Sequence, residues 1–406
     1  MSAARIAPAM VAAPASFRFD APPPLALYVH IPWCVRKCPY CDFNSHESAA
    51  ALPEEAYLAA LLADLEQDLP QVWGRRVESV FIGGGTPSLF APESIDRLLS
   101  GIRARLPLLP DAEITLEANP GTIDTGRLRE FRATGVNRLS LGAQSFDDAL
   151  LPRIGRIHGS AEILSAAAGI AAAGFDNWNF DLMYGLPGQT LAQALADVKQ
   201  AMALDPPHLS HYQLTLEPNT AFHHSPPALP DDDTTWEMQQ QCQAELATGG
   251  YAQYETSAYA RDGRRCRHNL NYWRYGDYLG IGAGAHAKLT TATDHTIRRT
   301  AKARHPRAYL EAAAGPARIA ERRTLTPAET ALEFMMNALR LNEGFPLALY
   351  RAHTGLPLAP VEAPLARAEA LGLIERDALA VRPSARGRRY LNELLTLFVP
   401  DGPAGG

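Results

Sequence analysis

Cysteine is scarce, with five in 406 residues: Cys34, Cys38, Cys41, Cys242 and Cys266. An odd count in a large chain argues against a disulfide scaffold and for a reducing cytoplasm. No apolar run reaches the roughly 20 residues that a membrane-spanning helix needs. The opening stretch, MSAARIAPAMVAAPASFRFDAPPP, lacks the continuous apolar core of a signal peptide, so export is not expected. It reads as a disordered or surface leader over residues 1–24. Positive charge is not in excess either. The formal net charge is -6, so no global field favours nucleic acid.

What is present is a repeat. Short β-rich runs at Ala26–Ile31, Val77–Ile82, Glu113–Glu117, Arg138–Leu141, Asn179–Met183 and His208–Leu214 alternate with amphipathic stretches. These stretches are Glu54–Leu69, Pro92–Leu106, Asp124–Thr134, Ser160–Ala173 and Leu191–Ala203. Such alternation predicts an α/β fold with a parallel sheet and crossover helices. Polar and glycine residues gather where strands end, as in GGGTPS, EANP, GAQSFD and DLMYGLPGQ, and that rim is the active face of a barrel. Six units fit a partial, open (βα)6 TIM-like barrel over residues 25–220. The turn-rich HHSPPALPDDD then opens an α+β extension over 221–322. Helical segments, a short hairpin and SARGRRYLNELLTLFV suggest a small winged-helix-like domain over 323–406.

Three of the five cysteines fall in YVHIPWCVRKCPYCDFN, directly after the first strand. Their spacing is Cys-x3-Cys-x2-Cys. Zinc sites commonly draw on two Cys pairs, and there is no second pair, although His30 or His46 could complete a three-Cys-one-His site. A ferredoxin cluster takes four thiolates, and the local fourth is missing. Three thiolates on a [4Fe–4S] cluster leave one iron open, the mark of a reactive metal site. Arg36 and Lys37 either offset thiolate charge or are simply solvated.

Gly83-Gly84-Gly85-Thr86-Pro87 follows the second strand. Glycines there let backbone approach a ligand and expose N–H donors. No Gly-Lys-Ser/Thr follows, so it is not a P-loop, and Pro87 breaks a dinucleotide fingerprint. A tight turn is the bland alternative. Glu117, Gln144, Arg156 and Asp181 each lie at or just beyond a strand end. Alone, each reads as a cap or surface pair. Together they offer donors and acceptors to a cation with an amino acid tail and a ribose.

The cysteine loop resembles that of the radical S-adenosylmethionine (SAM) superfamily. YVHIPWC, GGGTPS, LGAQSFD, GRIH, DLMYGLPGQ and YLGIGAGAH extend the resemblance over almost the whole chain, to the anaerobic coproporphyrinogen III oxidase family. The resemblance implies that Cys34, Cys38 and Cys41 hold a [4Fe–4S] cluster whose open iron chelates SAM. A reduced cluster in that superfamily cleaves the sulfonium to methionine and a 5′-deoxyadenosyl radical. It also implies SAM contacts from Tyr28, Tyr40 on the adenine, Gly84, Gly85 and Thr86 on the methionyl amino group, Glu117, Gln144, Arg156 on the carboxylate, and Asp181.

Two departures separate the chain from the oxidase. The oxidase has a fourth cysteine where this chain has Phe43, and a longer N-terminal region. Both resemble the haem-chaperone (HemW) branch, as does His268-Asn269-Leu270-Asn271-Tyr272-Trp273, similar to a His-Asn-x-x-Tyr-Trp motif linked to haem binding. Imidazole is an axial haem ligand, and Tyr and Trp can flank a porphyrin. A structural histidine is the bland alternative for His268, and Cys266 is a rival ligand. Cys242 reads as a core cysteine. The resemblance thus implies a chaperone that binds haem, the cluster and SAM and hands haem to an acceptor haemoprotein, with membrane-bound acceptors among the candidates. Homodimerisation with cluster and SAM bound is a further implication, as is a cytoplasmic site or a peripheral one at the inner membrane face. Radical SAM decarboxylation of coproporphyrinogen III is the alternative activity.

Overall fold

The computed structural model describes residues 16–48 and 51–400. Six parallel strands form in the order read from the sequence: β1 (Leu25–Ile31), β2 (Val77–Gly84), β3 (Leu108–Ala118), β4 (Arg138–Gln144), β5 (Trp178–Tyr184) and β6 (His208–Gln213). Each pairs in parallel with the next. Their crossovers are α1 (Glu54–Val72), α2 (Pro92–Arg103), α3 (Thr125–Ala133), α4 (Ser160–Ala172) and α5 (Leu191–Ala203). β1 reads LALYVHI and is buried at all but Tyr28, as expected for a strand covered on both faces. α1 buries Tyr57, Leu58, Leu61, Leu65 and Val72 against the sheet, each contributing about 1.5–3 kcal/mol. Helix starts follow local chemistry. The Asp124 side chain accepts from Arg127 N–H at 3.0 Å, and Thr190 and Gln193 form a capping box at α5.

The structure adds a seventh parallel strand that periodicity did not reveal. Asp277–Ile281 (β9) lies against the outer edge of β1, with Leu27 opposite Leu279. It continues antiparallel into β10 (His286–Thr291), β11 (Thr296–Lys302) and β12 (Ile319–Thr324). Beyond β6 lie β8 (Ala258–Ala260) and β7 (Ala252–Glu255), so one open sheet of twelve strands runs through both parts. α6 (Asp232–Thr248) packs on α5, and α7 (Arg267–Trp273) sits against the starts of the barrel strands.

A four-charge cluster ties α1 to the extension. Lys302 bridges Asp64 and Asp68, and Arg318 contacts the same two carboxylates, all of them buried. The Tyr309 hydroxyl donates to Asp64 at 2.8 Å.

The C-terminal part carries helices Pro327–Ala338, Leu347–Thr354 and Ala359–Ala370 around a small sheet that includes the hairpin Ile374–Arg376/Ala380–Pro383. Its core draws in Tyr275 and also Phe19 from the N-terminal segment. Arg18 N–H donates to the Gly355 carbonyl at 2.8 Å. Of the leader expected over 1–24, residues 1–15 lie outside the described residues. No helix among the described residues is long and apolar enough to cross a membrane.

Candidate functional site

The cysteine loop leaves β1 and is closed at its base by a two-residue parallel bridge, Trp33–Cys34 with His46–Glu47. Inside it, Cys41 N–H donates to the Cys38 carbonyl at 3.1 Å, a tight turn that brings the last two cysteines together. Lys37 points back into the loop. Its Nζ donates to the carbonyls of Phe43 and Ser45, and its N–H to Glu47. Lys37 is therefore a brace, and Arg36 instead lines the cavity above the barrel.

That cavity has a volume of about 400 Å³ at the C-terminal rim of β1–β6. Its wall brings together Cys34, Cys38, Cys41, Tyr40, Gly84, Gly85, Thr86, Glu117, Gln144, Arg156 and Asp181, residues drawn from strand ends far apart in sequence. The size lies in the range of small-molecule sites. Burial raises the thiols of Cys34 and Cys41. The Arg156 guanidinium, half-buried beside the loop, donates from Nη1 toward Cys38 Sγ at 3.6 Å and from Nη2 to the Gly142 carbonyl. Its Nε is buried without a partner. The basic group facing the thiols thus comes from the segment after β4. Among the described residues no three His, Cys, Asp or Glu side chains converge on a single-ion position.

The glycine triplet is shaped by close approach. A Cβ on Gly85 would lie 2.5 Å from the Trp33 carbonyl oxygen, and one on Gly84 (φ 117°) would strike the His30 ring. Gly84 N–H donates to Glu117 Oε2 at 3.0 Å. Burial, then the neighbouring Asp181, pushes the Glu117 carboxyl up to about 7, and burial raises Asp181 as well. Gln144 ends β4 at φ 69°, a strained backbone for a residue with a side chain. Its Oε1 accepts from the Tyr212 hydroxyl at 3.0 Å.

Residues 28–201 match the Radical SAM superfamily and residues 325–390 the HemN C-terminal domain. The chain is 48% identical over 379 residues to heme chaperone HemW of Escherichia coli, covering 93% of this chain and 99% of that one. The chain belongs to the HemW family. Heme chaperone HemW of Haemophilus influenzae is 47% identical at the same coverage. In fold the chain is similar to the coproporphyrinogen III oxidase HemN of Escherichia coli, with a TM-score of 0.78 at 24% identity over 93% of this chain and 90% of that one. Membership of the radical SAM superfamily carries iron–sulfur and SAM binding as a general property.

Two expected site residues of this HemW-family chain lie apart from the cavity wall. Tyr28 is in the barrel, its hydroxyl 2.9 Å from His30 Nδ1 and its ring stacked on Phe81. His268 is on α7, below the strand starts. Its Nδ1 is 3.0 Å from Ser79 Oγ, its N–H donates to Glu113, and its ring tilts over Phe81 at 5.1 Å. Burial pulls its imidazole down to about 3. Cys266, the rival ligand, is buried and donates to Glu113, and Cys242 is buried in the main core. Sequence reasoning missed the residues that hold the loop in place. His30 Nε2 meets the Asn44 carbonyl at 2.9 Å, and Asn44 Nδ2 donates to the carbonyls of Ala283 and Arg304. Nothing in the spacing marks Asn44, because the carbonyls it bonds lie more than 200 residues away.

Proposed function

We infer that the chain is a haem chaperone that transfers haem to an acceptor haemoprotein in the cytoplasm. The observation that carries this reading is the 48% identity to heme chaperone HemW across 93% of the chain. Phe43 favours it over the oxidase. It lines the cavity as an exposed phenyl at the position where the oxidase pattern has a cysteine.

The residues present fit an iron–sulfur cluster. Cys34, Cys38 and Cys41 share one wall of the cavity, as a cluster held by three thiolates requires. The unpartnered Arg156 Nε supplies positive charge beside them. When bound, a [4Fe–4S] cluster with SAM supplies one-electron chemistry at the sulfonium. Around it, the chain's own groups bind and orient. Gly84, Gly85 and Thr86 line the pocket with their N–H groups already donated to Glu117, Ile31 and Trp33, so they shape the wall in place of the exposed N–H donors expected from the sequence, and Glu117 and Asp181 offer carboxylates to cationic and hydroxyl groups. Gln144, fixed by Tyr212, and Tyr40 complete the proposed SAM pocket. Tyr28 supports it through His30. His268 joins the haem proposal as part of the His-Asn-x-x-Tyr-Trp segment, and homodimerisation with cluster and SAM bound belongs to the same proposal.

The test is anaerobic cluster reconstitution followed by haem titration on the Soret band, with coproporphyrinogen consumption assayed in the same sample. Stoichiometric haem binding without porphyrinogen loss is expected. Porphyrinogen turnover with release of methionine and 5′-deoxyadenosine would refute the chaperone reading.

A further inference from the structure

A second cleft, of about 600 Å³, opens between α6 and the C-terminal part and shares no lining residue with the barrel cavity. Four arginines line it and no Asp or Glu does, on a chain whose net charge is -6. Arg340 is matched by Glu255 at 3.3 Å. The other three, Arg386, Arg388 and Arg389, are exposed and form no ion pair among the described residues. Arg386 and Arg388 are held by single bonds to the carbonyls of Leu371 and Pro383, which leaves most of each guanidinium fork unused. Arg389 lies over the Trp236 ring at 4.1 Å and the Tyr390 ring at 5.2 Å. Stacking fixes its plane while leaving its N–H edge open. The facing wall carries Gln239 and Gln240 on α6, neither with a hydrogen-bond partner among the described residues.

Each group is tuned to a different part of one kind of ligand. A guanidinium fork matches a carboxylate. A primary amide both donates and accepts, which matches a peptide group. An aromatic wall takes one apolar side chain. We propose that this cleft binds an acidic peptide segment of a partner protein, with Arg386, Arg388 and Arg389 on its carboxylates and Gln239 and Gln240 on its backbone. A membrane surface is a poorer fit because the arginines line a concave cleft faced by amides, whereas a bilayer is flat and offers no peptide groups to them.

The test is fluorescence anisotropy of a fluorescein-labelled peptide of alternating Glu and Gly with one central Leu, titrated with the full chain. Saturable binding that weakens with added salt is expected, because exposed charge pairs are screened. The double variant R388E/R389E should bind roughly tenfold more weakly or worse, since like charges then face each other. Q239A/Q240A, which leaves every arginine in place, should weaken binding severalfold and serves if the charge-reversed protein is unstable. Parallel arms use vesicles containing phosphatidylglycerol and a thymidine oligonucleotide. No saturable peptide binding, binding unaltered in both variants, or arginine-dependent capture of vesicles or oligonucleotide in place of the peptide would each overturn the proposal.

Discussion

Replacing His268 with Asn removes a titratable ring but leaves a polar group within reach of Ser79 Oγ. In the native protein, burial holds the imidazole neutral, with its pKa lowered from 6.5 to about 3. Unfolding returns it to the ordinary value. Between those two values the unfolded chain binds more protons than the folded one, so stability falls as pH falls from 6.5 toward 3. At pH 7.5 the contribution is close to zero. At pH 5 protonation of the unfolded imidazole costs the native state about 2 kcal/mol. His268→Asn has no such dependence, so the stability gap between the two proteins should shift by about 2 kcal/mol toward the variant from pH 7.5 to 5. Urea denaturation at both pH values, followed by circular dichroism, measures it. A gap independent of pH would refute the reasoning. It would mean that the imidazole titrates as if in water and that α7 stands away from the barrel.

Three further outcomes are expected. Gly85→Ala sets a methyl against the Trp33 backbone, which cannot yield as a side chain can, so iron and sulfide content after anaerobic reconstitution should fall sharply while far-ultraviolet dichroism is kept. Lys302→Met leaves Asp64 and Asp68 with Arg318 as their one cationic partner among the described residues, and thermal or urea unfolding should show a loss of about 3–5 kcal/mol, as for a broken buried ion pair. Phe43→Cys adds a thiol at the cavity wall but should confer no coproporphyrinogen consumption, because the remaining wall is unchanged.

The barrel was legible because its strands are short apolar runs bounded by glycine and polar residues. β1 through β6 fall on the runs read from the sequence, most of them extended by a few residues, and α5 falls on Leu191–Ala203 itself. The start of α3 at Asp124 was equally plain. β9 was not. Its five residues, DYLGI, are all buried, so no alternation shows, and it lies between a short helix and the glycine-rich turn GAGA. At the site, the cysteines, the glycine triplet and the strand-end polar residues announced themselves by spacing and position. Tyr212, His30 and Asn44 did not, because each acts through hydrogen bonds that only the folded chain brings together. The packing of His268 on Phe81 and Ser79 was equally hidden. A histidine among aromatics reads alike in sequence whether it faces a ligand or a Ser79 hydroxyl.

The placement of β9 has a consequence for how the chain is made. One edge of β1 pairs with β2, but the other edge waits for Asp277–Ile281, roughly 250 residues later. At about 5–20 residues per second the ribosome needs on the order of 12–50 s to deliver them. Through that interval the strand leading into Cys34 keeps an open hydrogen-bonding edge, and Asn44 lacks the Ala283 and Arg304 carbonyls that steady the cysteine loop. A loop completed so late gains its supporting frame only as synthesis nears its end. A nascent chain stalled before Asp277 would carry all three cysteines and still lack the frame that holds them.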